Sequence, residues 1–462
     1  MLFFSLKYIC LFLPTALILF YLVNRLNNKK YGTLALLIAS LVFYGIWSTS
    51  FLLLLVGSAL LNYLIAKSIV SHKKRDLLLL LGLISNIAPL FYYKYYNFFL
   101  MEFSIFFGTT YTAAKTVLPL AISFFTFQQI AFLVDSYQRK VSDVGFLEYL
   151  LFICFFPQLI AGPIVHYSEM IHQFNNPKKS NLISNFVKGA PIFVIGFIKK
   201  IGIADELSPI VASLHNLDGQ ISFIDAWIGS LAYTFQLYFD FSGYCDMAIG
   251  SALLFGIVIP ENFKSPYRST SIQEFWRRWH ITLGRWLRDY IYIPLGGNKV
   301  KNWAISTNLM ITFLIGGIWH GAGWTFILWG FLHGLALCIH RQFKTYKIKV
   351  PILLSWLLTF LFVHISWVFF RSATLEQSWR ILEGIFSIRE AFSYNSNTLN
   401  STENISIIAA SALIAFFGVH SSQLSIKIKS SWVGPALAGA LLAIGMIFVT
   451  RGSPSEFLYF NF

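Results

Sequence analysis

Long apolar runs recur along this chain and constrain its fold more than any other feature. Three of them are PTALILFYLV, FLLLLVGSALLNYLIA and LLLLLGLISNIAPLFYY, and many runs approach the roughly twenty residues that span a bilayer. Only 12% of the 462 residues are charged, about half the share in a soluble globular protein. The sequence therefore predicts an all-α polytopic membrane protein, with residues 1–462 forming a single membrane domain.

The basic residues lie between these runs and predict the topology. The net charge is +15, and such clusters are typical of the cytoplasmic side of a membrane protein rather than of a nucleic-acid-binding face. Arg25, Lys29 and Lys30 follow the first run, and the basic cluster at 72–75 follows the third. Because two runs separate these clusters, both are expected in the cytoplasm and the N-terminus outside.

The same rule predicts the topology of the C-terminal part. HRQFKTYKIK, residues 340–349, is expected in the cytoplasm, and a span over 351–370 then leads to the external stretch YNSNTLNSTEN. A returning span ends at KIK, residues 427–429, and the last span covers 433–449. The tail, residues 451–462, is therefore predicted to be external.

Glycine and proline interrupt the apolar runs between Leu150 and Arg285. FFPQLIAGPIVHY and FSGYCDMAIGSALLFGIVIPENF are the clearest examples. Irregular backbone at membrane depth is tolerated where it is buried in protein or lines a cavity. Re-entrant or tilted short helices are expected here, with the functional core among them.

The four cysteines do not indicate a metal site. They stand singly in apolar surroundings, without the paired spacing of metal ligands, at Cys10, Cys154, Cys245 and Cys338. Buried free thiols are expected at all four positions.

The stretch WRRWHITLGRWLRDYIYIPLGGNK, residues 276–299, is unusually basic and aromatic for so apolar a chain. At helical spacing, one face carries Trp276, Trp279, His280, Leu283, Trp286, Leu287 and Tyr290, and the opposite face carries Arg277, Arg278, Arg285 and Arg288. This pattern predicts an interfacial amphipathic helix with its aromatic rings at headgroup level. The arginines form either a solvated, lipid-binding face or a set of contacts to the phosphates of an anionic donor such as coenzyme A.

Two histidines are candidates for function. His280 lies on the aromatic face of this helix, where a lone histidine is either structural or functional. His320, in LIGGIWHGAGWTFILWGFLHG, stands between Gly316–Gly317 and Gly321–Gly323. These glycines are expected to break the span at an ionisable group, which at membrane depth indicates function. His333 is a supporting partner of His320 or plain packing, and the remaining candidates are expected to be structural: His166, His364 and His420.

Five long motifs resemble the membrane-bound O-acyltransferases. They are LAISFFTFQQIAFLVDSYQRK, FFPQLIAGPIVHYSEM, FDFSGYCDMAIGSALLFGI, FWRRWHITLGRWLRDYIYIPLGG and GGIWHGAGWTFILWGFLHG, in order over residues 120–334. The resemblance is strongest to the bacterial branch that acetylates cell-surface polysaccharides such as alginate and peptidoglycan. The D-alanine exporters of teichoic acid modification are more distant relatives.

The resemblance implies a fold and a site. It implies roughly eleven transmembrane helices, plus re-entrant and interfacial helices, around a thin floor with a central funnel open to the exterior. The family's histidine pair maps onto His280 and His320, with His320 at the position of the essential histidine. An acyltransferase of the bacterial cytoplasmic (inner) membrane is expected, which needs no bound cofactor. Its acyl donor is a cytoplasmic thioester, either acetyl-coenzyme A, which is favoured, or a carrier-protein thioester.

The expected chemistry suits these residues. A hydroxyl attacks a thioester only as it loses its proton, and histidine is the best general base near neutral pH. His320 is predicted to be the base and His280 an orienting or polarising partner. The oxyanion requires a donor, which His280, a tryptophan indole or a backbone N–H could supply.

The tail, SEFLYFNF, ends in an aromatic cluster from Phe457 to Phe462. One interpretation is an aromatic anchor at the membrane interface. The other is a covalent relay, in which the Tyr459 hydroxyl accepts the acyl group at the floor and presents it outside. The tail resembles the short aromatic C-terminal motif of the partner peptide in D-alanylation systems.

Two partners follow from the relay, and other classes stay open. A separate periplasmic or extracellular SGNH-type transferase is expected to pass the acyl group to a polysaccharide, and no nucleic acid is expected as a partner. The alternatives are a proton-coupled transporter, D-alanyl transfer to teichoic acid, and a structural scaffold of a secretion complex.

Overall fold

The architecture is all-helical throughout the described part of the chain. The structure is a computed structural model that describes residues 2–26, 29–114, 116–141, 144–175, 181–217, 219–387, 398–430, 434–451, 455 and 457–461. Every regular element within these ranges is a helix. The predicted all-α class is confirmed.

Five helices form the N-terminal third. A π-helical turn, Lys7–Phe12, leads into the first helix, and the helices are Leu13–Asn24 (α1), Lys29–Gly45 (α2), Thr49–Ser71 (α3), Arg75–Leu90 (α4) and Tyr96–Phe107 (α5). Ser48 caps α3, because its side chain accepts the Phe51 N–H that the helix leaves without an internal partner. Many leucines and phenylalanines of these helices are exposed on the outer surface, as expected of a lipid-facing region.

The centre is built around one long helix. The elements of this region are Ile122–Tyr137 (α6), Phe146–Cys154 (α7), Phe156–Leu159 (α8), Tyr167–Asn175 (α9), Leu182–Lys199 (α10), Asp205–His215 (α11) and Phe223–Leu254 (α12). Nearly all of α12 is buried, polar residues included. Helix α10 packs along it, and a Cβ added to Gly196 would lie 2.5 Å from the Gly243 oxygen, so only glycine permits this approach.

The remaining helices complete the core and the C-terminal region. They are Ile272–Arg278 (α13), Ile281–Leu287 (α14), Asn302–His320 (α15), Trp324–Thr345 (α16), Ile352–Arg371 (α17), Leu375–Phe386 (α18), Thr402–Phe417 (α19), Ser421–Ser430 (α20) and Gly434–Arg451 (α21). Helices α15 and α16 form an antiparallel pair, and α17 packs on both α16 and α12. The fold therefore brings α12, α15, α16 and α17 together around one centre.

Several helices are long and apolar enough to cross a membrane. Within the described residues these are Lys7–Asn24, Thr49–Ser71, Arg75–Phe107 and Ile352–Arg371, and the pair α19–α20, bent by 86°, makes a fifth if it counts as one span. The polytopic prediction is confirmed. The number of roughly eleven spans, and the side on which each loop lies, stay predictions.

Some sequence predictions are wrong in detail. The break within FSGYCDMAIGSALLFGIVIPENF occurs only in its second half, because α12 continues through FSGYCDMAIGSALL and ends at Leu254. The returning span reaches KIK only through a bend of 86°. Helix α19 ends at Phe417, and KIK lies on α20 after the bend. Helix α18 was not predicted, and the beginning of YNSNTLNSTEN, residues 394–397, lies outside the described residues.

The cysteine prediction is correct only in part. All four thiols are free, and Cys154 and Cys245 are buried. Cys10 is exposed and Cys338 is half-buried, because both lie on helix faces that the core does not cover.

Candidate active site

The basic, aromatic stretch is not one helix. Helix α13 ends at Arg278, Trp279 is extended at φ −100° and ψ 128°, and His280 adopts the left-handed conformation at φ 42° and ψ 53°. A second helix, α14, begins at Ile281. The predicted continuous amphipathic helix is therefore wrong, and the histidine lies at the hinge between two short helices.

Asn262 stabilises the break between α13 and α14 through hydrogen bonds. Its backbone oxygen accepts the Ile281 N–H at 3.0 Å, and its side-chain Oδ1 accepts the Thr282 N–H at 3.1 Å and the Thr282 hydroxyl at 2.9 Å. These bonds use the backbone donors at the start of α14. They offset the cost of a left-handed non-glycine residue, about 1–2 kcal/mol.

The same asparagine determines the tautomer of His280. The ring is fully buried, at 0% exposure, and its Nδ1 lies 3.2 Å from Asn262 Oδ1. The Asn262 amide donates to Cys245 Sγ, so Oδ1 is an acceptor and Nδ1 carries the imidazole proton. Nε2 therefore presents a lone pair, and within the described chain it has no hydrogen-bond partner. In its neutral form His280 can accept a hydrogen bond there but cannot donate one.

His320 ends α15 among aromatic rings. It is 2% exposed, and its ring centroid lies 4.9 Å from that of Trp319, 5.0 Å from that of Trp329 and 5.0 Å from that of Phe370. Its Nδ1 has no hydrogen-bond partner within the described residues. The C-terminal end of a helix favours a positive charge, which suits a residue that gains a proton.

The glycines near His320 have two roles: some break the span, as predicted, and others allow two helices to pack closely. The span is broken at His320, since Gly321 and Gly323 are extended and α16 begins at Trp324. Gly317 and Gly330, however, serve helix packing. A Cβ on Gly330 would lie 2.4 Å from the Phe313 oxygen and 3.1 Å from Gly317 Cα. This close approach aligns α15 with α16 and brings His320 beside Trp329.

Two residues that the sequence analysis missed hold the end of α15. Lys94 Nζ donates to the Trp319 oxygen at 2.5 Å, and the Tyr95 hydroxyl donates to the Ile318 oxygen at 2.7 Å. The last carbonyls of a helix have no internal partners, and a cation there also complements the helix dipole. Lys94 and Tyr95 therefore fix the backbone that carries His320.

The C-terminal segment, of which the structure describes Ser455 and residues 457–461, lies in this site. Phe457 is fully buried and Tyr459 is 3% exposed, so both rings contact protein instead of lying at a membrane interface. The Tyr459 ring centroid is 6.0 Å from that of His320. Phe241, on α12, packs against both Tyr459 and His280. Its ring centroid lies 4.2 Å from that of Tyr459 and 4.8 Å from that of His280. Phe241 thus links Tyr459 to His280, and Tyr459 itself lies beside His320.

Trp329 adds a buried donor to this group. Its indole Nε1 has no acceptor within the described chain, although the ring is 1% exposed and packs against His320. Three other indoles are already bonded: those of Trp276, Trp286 and Trp319 donate to His333 Nδ1, the Phe127 oxygen and the Ser123 oxygen. The tryptophans of the basic stretch are therefore buried against protein, and their position at headgroup level stays a prediction.

Two further buried histidines have ordinary structural roles. His333 Nδ1 accepts the Trp276 indole N–H at 3.2 Å, and its Nε2 lies 3.1 Å from Ser366 Oγ. His364 bonds Thr234 and Ser230 through its two ring nitrogens. Of the two interpretations of His333, the packing one fits, because both ring nitrogens are engaged away from His320.

Carboxylates bind three of the four arginines of the basic stretch. Arg278 Nη2 lies 2.8 Å from Glu274, Arg285 Nη1 lies 2.5 Å from Glu169, and Arg288 Nε lies 2.7 Å from Asp289. Arg277 is exposed and has no carboxylate within 4.0 Å in the described chain. A role in binding donor phosphate stays a prediction, and Arg277 is the arginine best placed for it.

Two histidines buried among the helices of a multi-pass protein are candidates for chemistry inside the membrane. Residues 110–378 match the profile of "MBOAT, membrane-bound O-acyltransferase family", a region that contains both histidines. The chain belongs to this family. The predicted fold class, family and enzyme class are confirmed, and the transporter and scaffold interpretations are set aside.

Full-length relatives agree with this assignment. The chain is 42% identical to the "Peptidoglycan O-acetyltransferase" of Helicobacter pylori, over 98% of this chain and 96% of that protein. It is 40% identical to the "Probable alginate O-acetylase AlgI" of Pseudomonas aeruginosa, over 91% and 82%. A more distant relative is the "Teichoic acid D-alanyltransferase" of Streptococcus thermophilus, 30% identical over 48% of this chain and 56% of that protein.

Proposed function

We propose that this protein takes an acetyl group from cytoplasmic acetyl-coenzyme A and transfers it to Tyr459, from which it reaches a cell-envelope or secreted polysaccharide. The observation that carries the proposal is the burial of Tyr459 with its ring centroid 6.0 Å from that of His320. The names of two full-length relatives, which refer to peptidoglycan and alginate, support the acetyl group and the acceptor class.

His320 acts as the general base in the first step. It takes the phenolic proton of Tyr459 while the phenol oxygen bonds to the carbonyl carbon of the thioester. The tetrahedral intermediate then loses the coenzyme A thiolate as the C–S bond breaks, and the imidazolium returns its proton to the sulfur. The products are a free thiol and an acetyl ester on Tyr459, and His320 is neutral again.

Trp329 and His280 have complementary roles in that step. The free Nε1–H of Trp329 is the donor for the carbonyl oxygen as its negative charge develops. His280 instead offers the Nε2 lone pair that Asn262 leaves free, and it orients a donor group of the substrate or of the phenol. His280 is therefore an orienting acceptor rather than the source of the oxyanion hydrogen bond.

The second step takes place on the outer side of the membrane. A separate periplasmic or extracellular SGNH-type transferase removes the acetyl group from Tyr459 by its own nucleophile, restores the phenol and acetylates the polysaccharide. This assignment sets the protein in the bacterial cytoplasmic (inner) membrane, with both termini on the external side. The external position of both termini is argued from the placement of the basic clusters along the sequence.

The test is Tyr459→Phe, which removes one oxygen and keeps the ring. We expect polysaccharide acetylation to stop while expression and membrane insertion remain normal. Mass spectrometry of the C-terminal peptide should detect an acetyl ester on Tyr459 in cells that lack the external transferase. Tyr149→Phe is the matched control, because it removes another buried hydroxyl far from His320. Wild-type acetylation in Tyr459→Phe would overturn the relay.

D-alanyl transfer is the second candidate. It is favoured only by the more distant relatives, the D-alanyltransferases, which cover about half of the chain. The same mass spectrum distinguishes the two, because an acetyl ester and a D-alanyl ester on Tyr459 differ in mass.

A further inference from the structure

A buried charge cluster lies beside the site, and the chemistry above does not use it. Lys200 is fully buried, and its Nζ lies 2.7 Å from Asp240 on α12 and 2.8 Å from Asp205 at the start of α11. Lys200 opens a π-helical turn, Lys200–Ala204, a distortion that is frequent at functional sites. We call Lys200, Asp205 and Asp240 the tail socket, for the contacts described next.

The C-terminal segment binds to all three members of the tail socket. Lys200 Nζ donates to the Ser455 backbone oxygen at 3.0 Å and to its Oγ at 3.1 Å. The Ser455 hydroxyl donates to Asp205. The Leu458 N–H donates to Asp240 Oδ2 at 2.9 Å. These bonds end one residue before Tyr459, so they determine where its ring lies.

Aromatic contacts continue from the socket to the site. The Phe457 ring stacks on Tyr244 with a centroid distance of 4.3 Å, and Tyr459 packs on Phe241. Asp240 and Phe241 lie on one turn of α12, and Tyr244 lies on the next turn at i+4 and i+3, so the three form one receiving face. The segment is therefore bound by hydrogen bonds at Ser455 and Leu458 and by the rings of Phe457 and Tyr459 on either side of Leu458.

A neighbouring ion pair shows that not every buried charge here serves the tail. Lys199 Nζ lies 2.8 Å from Asp246, also on α12, and 2.7 Å from Ser421 Oγ. It thus joins α10, α12 and α20. Within the described chain, its hydrogen bonds and ion pair involve Asp246, Ser242 and Ser421 and not the C-terminal segment. The two adjacent lysines have different partners and different uses.

We infer that the tail socket is a releasable docking site for the C-terminal segment, and that Lys200 and Asp240 are positioning residues that keep Tyr459 beside His320. When the segment leaves, Lys200 stays paired with both carboxylates, so the cation is not stranded in the core. Release of the segment therefore does not require Lys200 to lose its ion pairs with Asp205 and Asp240. The docking site is argued from the hydrogen bonds and ring contacts above alone. Its effect on acetylation of Tyr459 rests on the proposed function.

The experiment measures amide hydrogen exchange at the C-terminal peptide of the full-length protein in nanodiscs. The Leu458 amide, bonded to a buried carboxylate, should exchange slowly in the wild type. In Asp240→Asn we expect exchange at least about tenfold faster at Leu458, with the amides of α12 as protected as before. Acetyl ester on Tyr459 should fall in parallel. Asp246→Asn is the matched control and should leave Leu458 protected.

A second variant acts from the tail alone. Leu458→Pro deletes the donated N–H and leaves the tail socket untouched, so the following amides should exchange faster and Tyr459 acetylation should fall. Leu458→Ala, which keeps the N–H, should behave as wild type. Wild-type protection in Asp240→Asn, or equal loss in Asp246→Asn, would overturn the docking site. In Tyr459→Phe the Leu458 amide should stay protected from exchange. A failed relay and a failed docking site therefore give different results.

Discussion

Two pairs of buried histidines show how this protein separates structure from chemistry. His333 and His364 lie among aromatic rings and use both ring nitrogens in hydrogen bonds to neighbouring side chains. His280 and His320 are equally buried among aromatic rings, yet each has a nitrogen without a partner in the described chain. Burial does not distinguish the two pairs, whereas the hydrogen-bond inventory does.

The difference has a physical basis. Leaving a buried polar atom without its hydrogen bond costs about 1–3 kcal/mol, and natural folds rarely accept that cost. Unpartnered buried atoms also occur elsewhere in the described chain, for example on His215 and His420. Those of His280 and His320 lie on rings that pack against Phe241 and Tyr459 respectively, at the proposed site of acyl transfer.

The largest effect is expected from His320→Ala. Loss of the general base should lower Tyr459 acetylation by about 10²–10⁴-fold. The space left among the aromatic rings should also lower the free energy of unfolding, as in other large-to-small substitutions in a core. His364→Ala is the matched control, and it should lower stability by about 1–3 kcal/mol with near-normal activity. Acetylation assays and thermal unfolding of both proteins provide the measurement. Normal acetylation by a verified His320→Ala protein would remove the catalytic assignment.

A smaller loss is expected from His280→Ala. Because His280 orients rather than accepts the reacting proton, activity should fall by about tenfold to a hundredfold and not vanish. Asn262→Ala should reproduce part of this loss, since it removes the acceptor that fixes the His280 ring. The same acetylation assay compares the two variants with His320→Ala. Equal losses in His280→Ala and His320→Ala would contradict the division of roles.

The smallest effect on activity is expected from the arginines of the basic stretch. Arg277→Gln should raise the donor KM severalfold with little change in kcat, because a phosphate contact stabilises bound donor and transition state alike. Arg278, Arg285 and Arg288 are bound to carboxylates, so their glutamine variants should change KM less. Steady-state kinetics with acetyl-coenzyme A provides the test. Changes in protein yield alone would favour the lipid-binding interpretation for all four.

The sequence predicts the outer frame of this protein better than its centre. Apolar runs of suitable length mark α3 and α17 directly, since spanning a bilayer dictates both length and composition. The hinge at His280 carries no such signal. No glycine or proline marks it, and the bonds that stabilise it come from Asn262 in another segment. Local pattern therefore predicts a continuous helix, and a tertiary contact breaks it.

Other residues of the site could have been found with the rule that singles out His320. Lys94 and Lys200 are also ionisable groups inside apolar runs, and such groups indicate function at membrane depth. Their partners are not readable from sequence, because Asp240 and the end of α15 lie on distant segments. The position of Tyr459 is similar. Its hydroxyl is visible in the tail, but the socket that receives it appears only in three dimensions.

The aromatic enclosure of His320 also determines which nucleophile reaches the acyl carbon. Water competes for any thioester that lies beside a general base. The rings of Trp319, Trp329 and Phe370 surround the imidazole, and Phe241 covers Tyr459 from the other side. The imidazole and the phenol ring are both almost inaccessible to solvent, at 2% and 3% exposure. In the proposed relay, this enclosure protects the acetyl thioester from hydrolysis.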